Sequence, residues 1–183
     1  MKLRFTSTMA AALVGFIAMA PMLPTRADDK AMIDTNTQRA LSWLRTSGDD
    51  TADLLERAAG VLVFPDVVKM GFGVGGQFGE GSLLVDGETV GYYATAGKNF
   101  GMGAEADYKA EVILFMTDEA LQSFRETRSW KVGEHAVVPV ATGTSDSIKV
   151  SGPAGPMVGL IFSEDGLVSD LGLDGSRITR IAR

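Results

Sequence analysis

Few residues in this chain could do chemistry. Histidine occurs once, at His135, and cysteine is absent. One imidazole cannot build a histidine metal cluster, and without cysteine both thiolate catalysis and thiolate metal ligation are excluded. His135 lies in "GEHAVV" with no nucleophile pattern beside it, so it reads as an exposed or hydrogen-bonded strand histidine. Ser145 and Ser147 lie in the turn-rich "ATGTSDSI" and lack the G-x-S-x-G elbow that presents a serine nucleophile. The acidic residues are scattered, often beside glycine, without calcium-loop spacing. The sequence predicts no catalytic residue, no metal site and no cofactor, and reads as a protein that is not an enzyme.

One stretch invites a nucleotide-binding interpretation. "GFGVGGQFGEG", residues 71–81, contains G-x-G-x-x-G at Gly71, Gly73 and Gly76. A dinucleotide loop needs those glycines at a strand-to-helix junction, where helix N–H groups meet the pyrophosphate. The next residues, "SLLVDG", have strand character and end in a hairpin signal, which removes that interpretation. Parity explains the tract better. Gly71, Gly73, Gly75, Gly79 and Gly81 are odd, whereas Phe72, Val74 and Phe78 are even. Side chains alternate across a strand, so one face carries bulk and the other is nearly bare backbone. Gly97, Gly101 and Gly103 repeat the pattern opposite Phe100 and Met102. Glycine weakens a strand, so a bare face implies close approach: strands coiled sharply, a helix docked flat, or a ligand or acyl chain lying on the backbone. The glycine face is therefore expected to be sterically required, and valine at Gly73 or Gly75 to destabilise the fold.

The elements around this tract alternate in period. Ile33, Thr37, Ala40, Leu41 and Leu44 recur at helical spacing, flanked by Met32 and Trp43. After the break "SGDD", Asp50 or Thr51 can cap a second helix carrying Leu54, Leu55, Ala58, Ala59 and Leu62 at helical spacing. From Val61 the pattern turns to β: "VLVF" stopped by Pro65-Asp66, the glycine tract with "SLLV", the turn Asp86-Gly87, "ETVGYYATAG", and "FGMGAEADYKAEVILFM". "TDEALQSFRETR" is a short helix, with Thr117 as its cap and with Asp118, Glu119, Arg125 and Arg128 matching its dipole. "WKVGEHAVVPV" and the remaining segments read as strands. The expected fold is α+β: a glycine-rich, strongly coiled antiparallel sheet, barrel-like, with two N-terminal helices and one short internal helix.

The first 27 residues read as a secretory signal peptide: Lys2 and Arg4, an apolar run over residues 9–20, then Thr25-Arg26-Ala27 ahead of Asp28-Asp29. That run is short of the roughly 20 residues a spanning helix needs. Cleavage is expected after Ala27, leaving residues 28–183 as one domain in the periplasm; with no cysteine to acylate, the chain is not read as a lipoprotein. Loss of Lys2, Arg4 and Arg26 takes the 17 basic residues to 14 against 23 acidic, a net charge of −9. Nucleic acid is not expected as a partner, because phosphate neutralisation needs a basic face.

Several blocks in order carry a family likeness: "VLVFPDVVKMGFGVGGQFGEGSLLV", "GYYATAGKNFG", "ILFMTDEALQSF" and "GLVSDLGLDGSRITRI". Over about residues 50–182 the chain resembles the SYLF domain, a lipid-binding module of eukaryotic membrane-trafficking and actin-patch proteins that also occurs in exported bacterial proteins. The resemblance implies binding of phosphoinositide or another membrane lipid, phospholipid included, aided by an amphipathic N-terminal segment. Some yeast members bind actin, which an exported chain would not meet, so actin binding is not expected. The segment 28–45 balances Lys30, Arg39 and Arg45 against Asp28, Asp29 and Asp34. Contact with a bilayer would then rest on Met32, Ile33, Leu41, Trp43 and Leu44, aided by Lys30 and Arg39, and the same apolar residues equally suit a core. A non-catalytic lipid- or membrane-binding domain is the first functional expectation. An envelope structural or interaction module with a protein partner is the second.

Overall fold

Three helices and a large antiparallel sheet build an α+β fold in the computed structural model, which describes residues 26–70, 75–99, 108–144, 147–150, 155–163, 166–168 and 172–183. The helices are α1 (Arg26–Ser47), α2 (Asp49–Arg57) and α3 (Asp118–Glu126). The strands are β1 (Gly60–Met70), β2 (Gly75–Val85), β3 (Glu88–Asn99), β4 (Tyr108–Phe115), β5 (Ser129–Lys131), β6 (Ala141–Thr144), β7 (Ser147–Val150), β8 (Met157–Ser163), β9 (Gly166–Leu167) and β10 (Arg177–Ile181). The large sheet runs β5-β10-β3-β2-β1-β4-β8-β9, and β6 with β7 forms a separate hairpin. Among the described residues β5 and β9 do not pair, so the sheet is not closed by hydrogen bonds.

Local chemistry accounts for most of these boundaries. Asp86 (φ 52°) and Gly87 (φ 80°) both adopt the left-handed conformation that a two-residue hairpin demands, and Val85 pairs with Glu88 across them. Thr117 caps α3, its hydroxyl accepting from the Ala120 N–H at 3.2 Å. Three local expectations are corrected. Neither Asp50 nor Thr51 caps α2, whose N-cap is Gly48 without a side-chain bond. The Thr51 hydroxyl instead donates to the carbonyls of Leu44 (2.8 Å) and Gly48 (2.7 Å), satisfying the end of α1. β1 does not stop at Pro65-Asp66 but runs through them as a bulge, with register shifts against both neighbours. Proline is tolerated there because a bulge leaves its position out of the ladder. "WKVGEHAVVPV" is strand only to Lys131; Gly133 (φ 84°) turns the chain, and Ala136 comes back beside Val132.

Each face of the sheet has its own core. α1 and α2 bury Leu41, Leu44, Leu54 and Leu55 against Val63, Leu84, Val112, Leu114 and Leu160. The other face gathers Leu62, Phe64, Val67, Leu83, Ile113 and Phe115 beneath Leu121 and Phe124 of α3 and Trp130 of β5. Phe124 centres this second core, its ring 4.9 Å from Phe115, 5.0 Å from Tyr93 and 5.7 Å from Trp130. The β1 bulge reverses the alternation, so that odd-numbered Val67 joins even-numbered Leu62 and Phe64 on one face.

The bare glycine face turns towards this second core, where the bulged β1 backbone fills the space. A Cβ on Gly79 would stand 2.9 Å from Val67 Cγ2 and 3.0 Å from the Asp66 carbonyl oxygen. On Gly81 it would overlap the Val63 carbonyl itself. A Cβ on Gly76, by contrast, meets only the Gly97 carbonyl at an ordinary 3.5 Å. Gly75 opens β2 opposite Asn99, while Gly71, Gly73, Gly101 and Gly103 lie outside the described residues. Gly81→Ala should therefore cost at least the about 1–3 kcal/mol typical of overpacking, because backbone rather than a rotatable side chain must yield. Gly76→Ala should cost less than about 1 kcal/mol. Chemical denaturation of the two variants checks this, and equal stabilities would refute the packing account.

Candidate functional site

The candidate contact residues all sit on α1, and the sheet divides them. Ile33, Leu41 and Leu44 are buried, Leu44 completely. Thr37, between them, accepts a buried hydrogen bond from the Ser82 hydroxyl at 3.0 Å. These three apolar residues are core, unavailable to a bilayer while α1 stays docked. Met32 is 63% exposed, Trp43 is half-buried, and Lys30 and Arg39 are exposed. The structure therefore leaves Met32, Trp43, Lys30 and Arg39 accessible.

Met32, Asn36, Arg39 and Trp43 follow one another at i, i+4, i+7 and i+11, a single flank of α1. That flank faces the β1 bulge. Asn36 donates to the Asp66 carboxylate at 2.8 Å, and Arg39 donates to the Asn36 side-chain oxygen at 3.1 Å. At the far end the Trp43 indole stacks on Phe162 of β8, centroids 4.7 Å apart and planes 7° from parallel. Between these walls lies a groove of about 260 Å³, lined by Ala40, Trp43, Pro65 and Phe162 with Arg39, Asp66 and Lys109 around it. A smaller space beside Met32 shares Asn36, Pro65 and Asp66 with this groove, so the two adjoin along the helix.

The cations here are not equivalent. Lys109 is spent on Glu111, at 3.0 Å. Glu111 is 1% exposed and accepts from Gln77 Nε2 at 3.0 Å, and Gln77 also reaches the Ser176 hydroxyl at 3.4 Å. Burial pushes the Glu111 carboxyl above its ordinary range, against the pull of Lys109 and Gln77. Arg39, in contrast, has no carboxylate partner among the described residues. Lys30 rests 5.5 Å over the Tyr92 ring, and the Tyr92 hydroxyl donates to the Asp34 carboxylate at 2.8–2.9 Å. His135 accepts from the Lys131 N–H at 3.1 Å and stands in a turn rather than a strand. Among the described residues no three acidic or histidine side chains could hold a metal, and no helix is long and apolar enough to cross a membrane.

The periodicity of α1 marked Trp43 and Met32 but not their surroundings. Phe162 was visible only as an even-numbered position of "MVGLIFS", in phase with buried Val158 and Leu160. Asp66, Asn36 and Lys109 carried no local signal, because the β1 bulge and the strand order bring them together. No protein-family model matches the chain, and no curated protein is recognisably similar to it.

Tyr92 gives a measurable handle on the docking of α1. Burial, then its hydrogen bond to Asp34 and that carboxylate's charge, push the phenol from 10 up to about 12. A raised folded-state value contributes stability that is complete below about pH 10 and lost as the pH climbs through about 12. Tyr92→Phe should remove this alkaline loss, and Asp34→Asn should lower the titration midpoint only partway, since burial is the larger cause. Absorbance titration and alkaline melts check both; an Asp34→Asn midpoint identical to wild type would show that α1 does not hold Asp34 against Tyr92.

Proposed function

We propose that this chain is a non-catalytic lipid- or membrane-binding module, exported and acting in the periplasm, of the kind its SYLF resemblance implies. The observation that carries the proposal is the Trp43–Phe162 groove with Arg39 at its rim and Met32 exposed further along the same flank. A half-buried indole beside an apolar slot, with a guanidinium about one turn away, suits the boundary between acyl chains and headgroups. At about 260 Å³ the groove is smaller than the about 300–1,000 Å³ of whole-ligand pockets, so it takes part of a lipid while the rest stays in the bilayer. Contact is made by the docked helix along its flank, with Ile33, Leu41 and Leu44 remaining in the core.

The sheet that supports this flank is proposed to be strongly coiled and barrel-like. Ala136 lies beside Val132, which itself bonds to Ser176 just before β10, and Val140 lies beside Gly159 of β8. The four residue-to-residue steps from 136 to 140 reach at most about 14 Å, whereas six strand spacings from β5 to β8 in a flat sheet would cover about 29 Å. Curling brings the two sides within reach.

With no net charge on segment 28–45, apolar contact should dominate binding to neutral phosphatidylcholine vesicles and added salt should change it little. Trp43→Ala combined with Met32→Ala should weaken co-sedimentation about tenfold or more while leaving the domain folded. Full binding by the folded double variant would refute the flank as the contact. A stable complex with an envelope protein and no vesicle binding would favour the interaction-module alternative.

A further inference from the structure

The methionines of this chain differ sharply in exposure where their burial is described. Met157 of β8 is 3% exposed within the core beneath α3, and Met116 is half-buried against the core beneath α1. Met32 is 63% exposed. The helix holds it there. Ile33, the next residue, is buried in the fold, and Asn36, one turn on, is tied to Asp66 at 2.8 Å. The Met32 thioether therefore cannot roll under α1 while the helix stays docked.

An exposed thioether has a chemistry that buried ones are spared. Its sulfur lone pair attacks a peroxide oxygen: the S–O bond forms as the O–O bond breaks, and the departing hydroxide takes a proton and leaves as water. Sulfur loses two electrons and the peroxide gains them. The product is a polar sulfoxide in place of an apolar side chain. The space beside Met32 is lined by Ile33, Asn36, Pro65, Asp66 and Glu80. Pro65 has no N–H to donate, and the carboxylates of Asp66 and Glu80, already engaged with Asn36 and Arg183, repel an oxygen of partial negative charge. The sulfoxide oxygen therefore turns outward into water. Carrying it against acyl chains would strip those water hydrogen bonds without replacing them.

We propose that Met32 is a reversible oxidation site: a peroxide converts its thioether to the sulfoxide, and the flank then releases a bilayer while the fold stays intact. The proposal rests on the flank reading above and adds its regulation. Release is separable from stability because Met32 lies outside both cores, whereas oxygen on Met157 would enter one of them. A dithiol-dependent methionine sulfoxide reductase reverses the step, two thiols supplying the electrons and becoming a disulfide as the oxygen leaves in water.

Limited treatment of the chain with hydrogen peroxide, followed by peptide mass mapping, thermal melts and co-sedimentation with phosphatidylcholine vesicles, tests this. Met32 should gain one oxygen before Met116 and Met157 do, the melting temperature should stay unchanged, and vesicle binding should weaken about fivefold or more. Sulfoxide reductase with dithiothreitol should restore binding. Met32→Leu keeps an apolar side chain that peroxide leaves alone, so it should bind like wild type before and after treatment. Oxidised chain that binds fully with its oxygen mapped to Met32 overturns the switch and leaves the flank reading standing. Equal loss of binding by treated Met32→Leu, or a melting point that falls together with binding, also overturns it. An untreated chain that ignores the vesicles removes the flank reading, and the switch falls with it.

Discussion

The closest constraint in the structure is the approach of the bulged β1 backbone to Gly79 and Gly81 of β2, where Val63 and Asp66 carbonyls occupy the space of absent side chains. The bulge depends on that contact. It lets Pro65 sit inside a central strand, flips the alternation so that Val67 joins Phe64 in one core, and projects Asp66 to the other side to meet Asn36. The same corner supplies Pro65 to the groove beside Trp43. Two cores and one candidate site therefore rest on a pair of positions where only glycine fits.

Magnitudes decide how α1 can serve a membrane. Truncating one large core side chain costs about 2–5 kcal/mol. A domain has only about 5–15 kcal/mol of total stability. Pulling Ile33, Leu41 and Leu44 out of the sheet to insert the helix would forfeit most of that, along with the buried Thr37–Ser82 hydrogen bond. Using the flank forfeits none of it. Met32 is already exposed, and Trp43 leans on Phe162 with part of its surface free. The buried stripe of α1 belongs to the fold, which leaves the Met32–Trp43 flank as the surface the proposal uses.

Much of the fold was legible because it obeys local rules. The Asp86-Gly87 hairpin, the Thr117 cap, the apolar stripe of α1 and the bare glycine face all announce themselves within a few residues. What escaped depends on contacts distant in sequence. Pro65 looks like a strand end, and only the glycines of β2 show why it is not. Thr51 looks like a helix cap, but Leu44 of the preceding helix claims its hydroxyl. The candidate groove was half visible: Trp43 and Met32 stood out, but Phe162 and Asp66 reach it through strand order.

The central claim is that a docked α1 meets lipid along its Met32–Trp43 flank. Hydrogen–deuterium exchange of the chain, with and without phosphatidylcholine vesicles, tests it most directly. Contact along the flank predicts added protection at the β1 corner around Pro65 and Asp66 beneath it, with exchange in the rest of α1 and in β1–β4 unchanged. Faster exchange through α1 and the strands beneath it would mean that the helix leaves the sheet to insert. That result would contradict the docked-helix account.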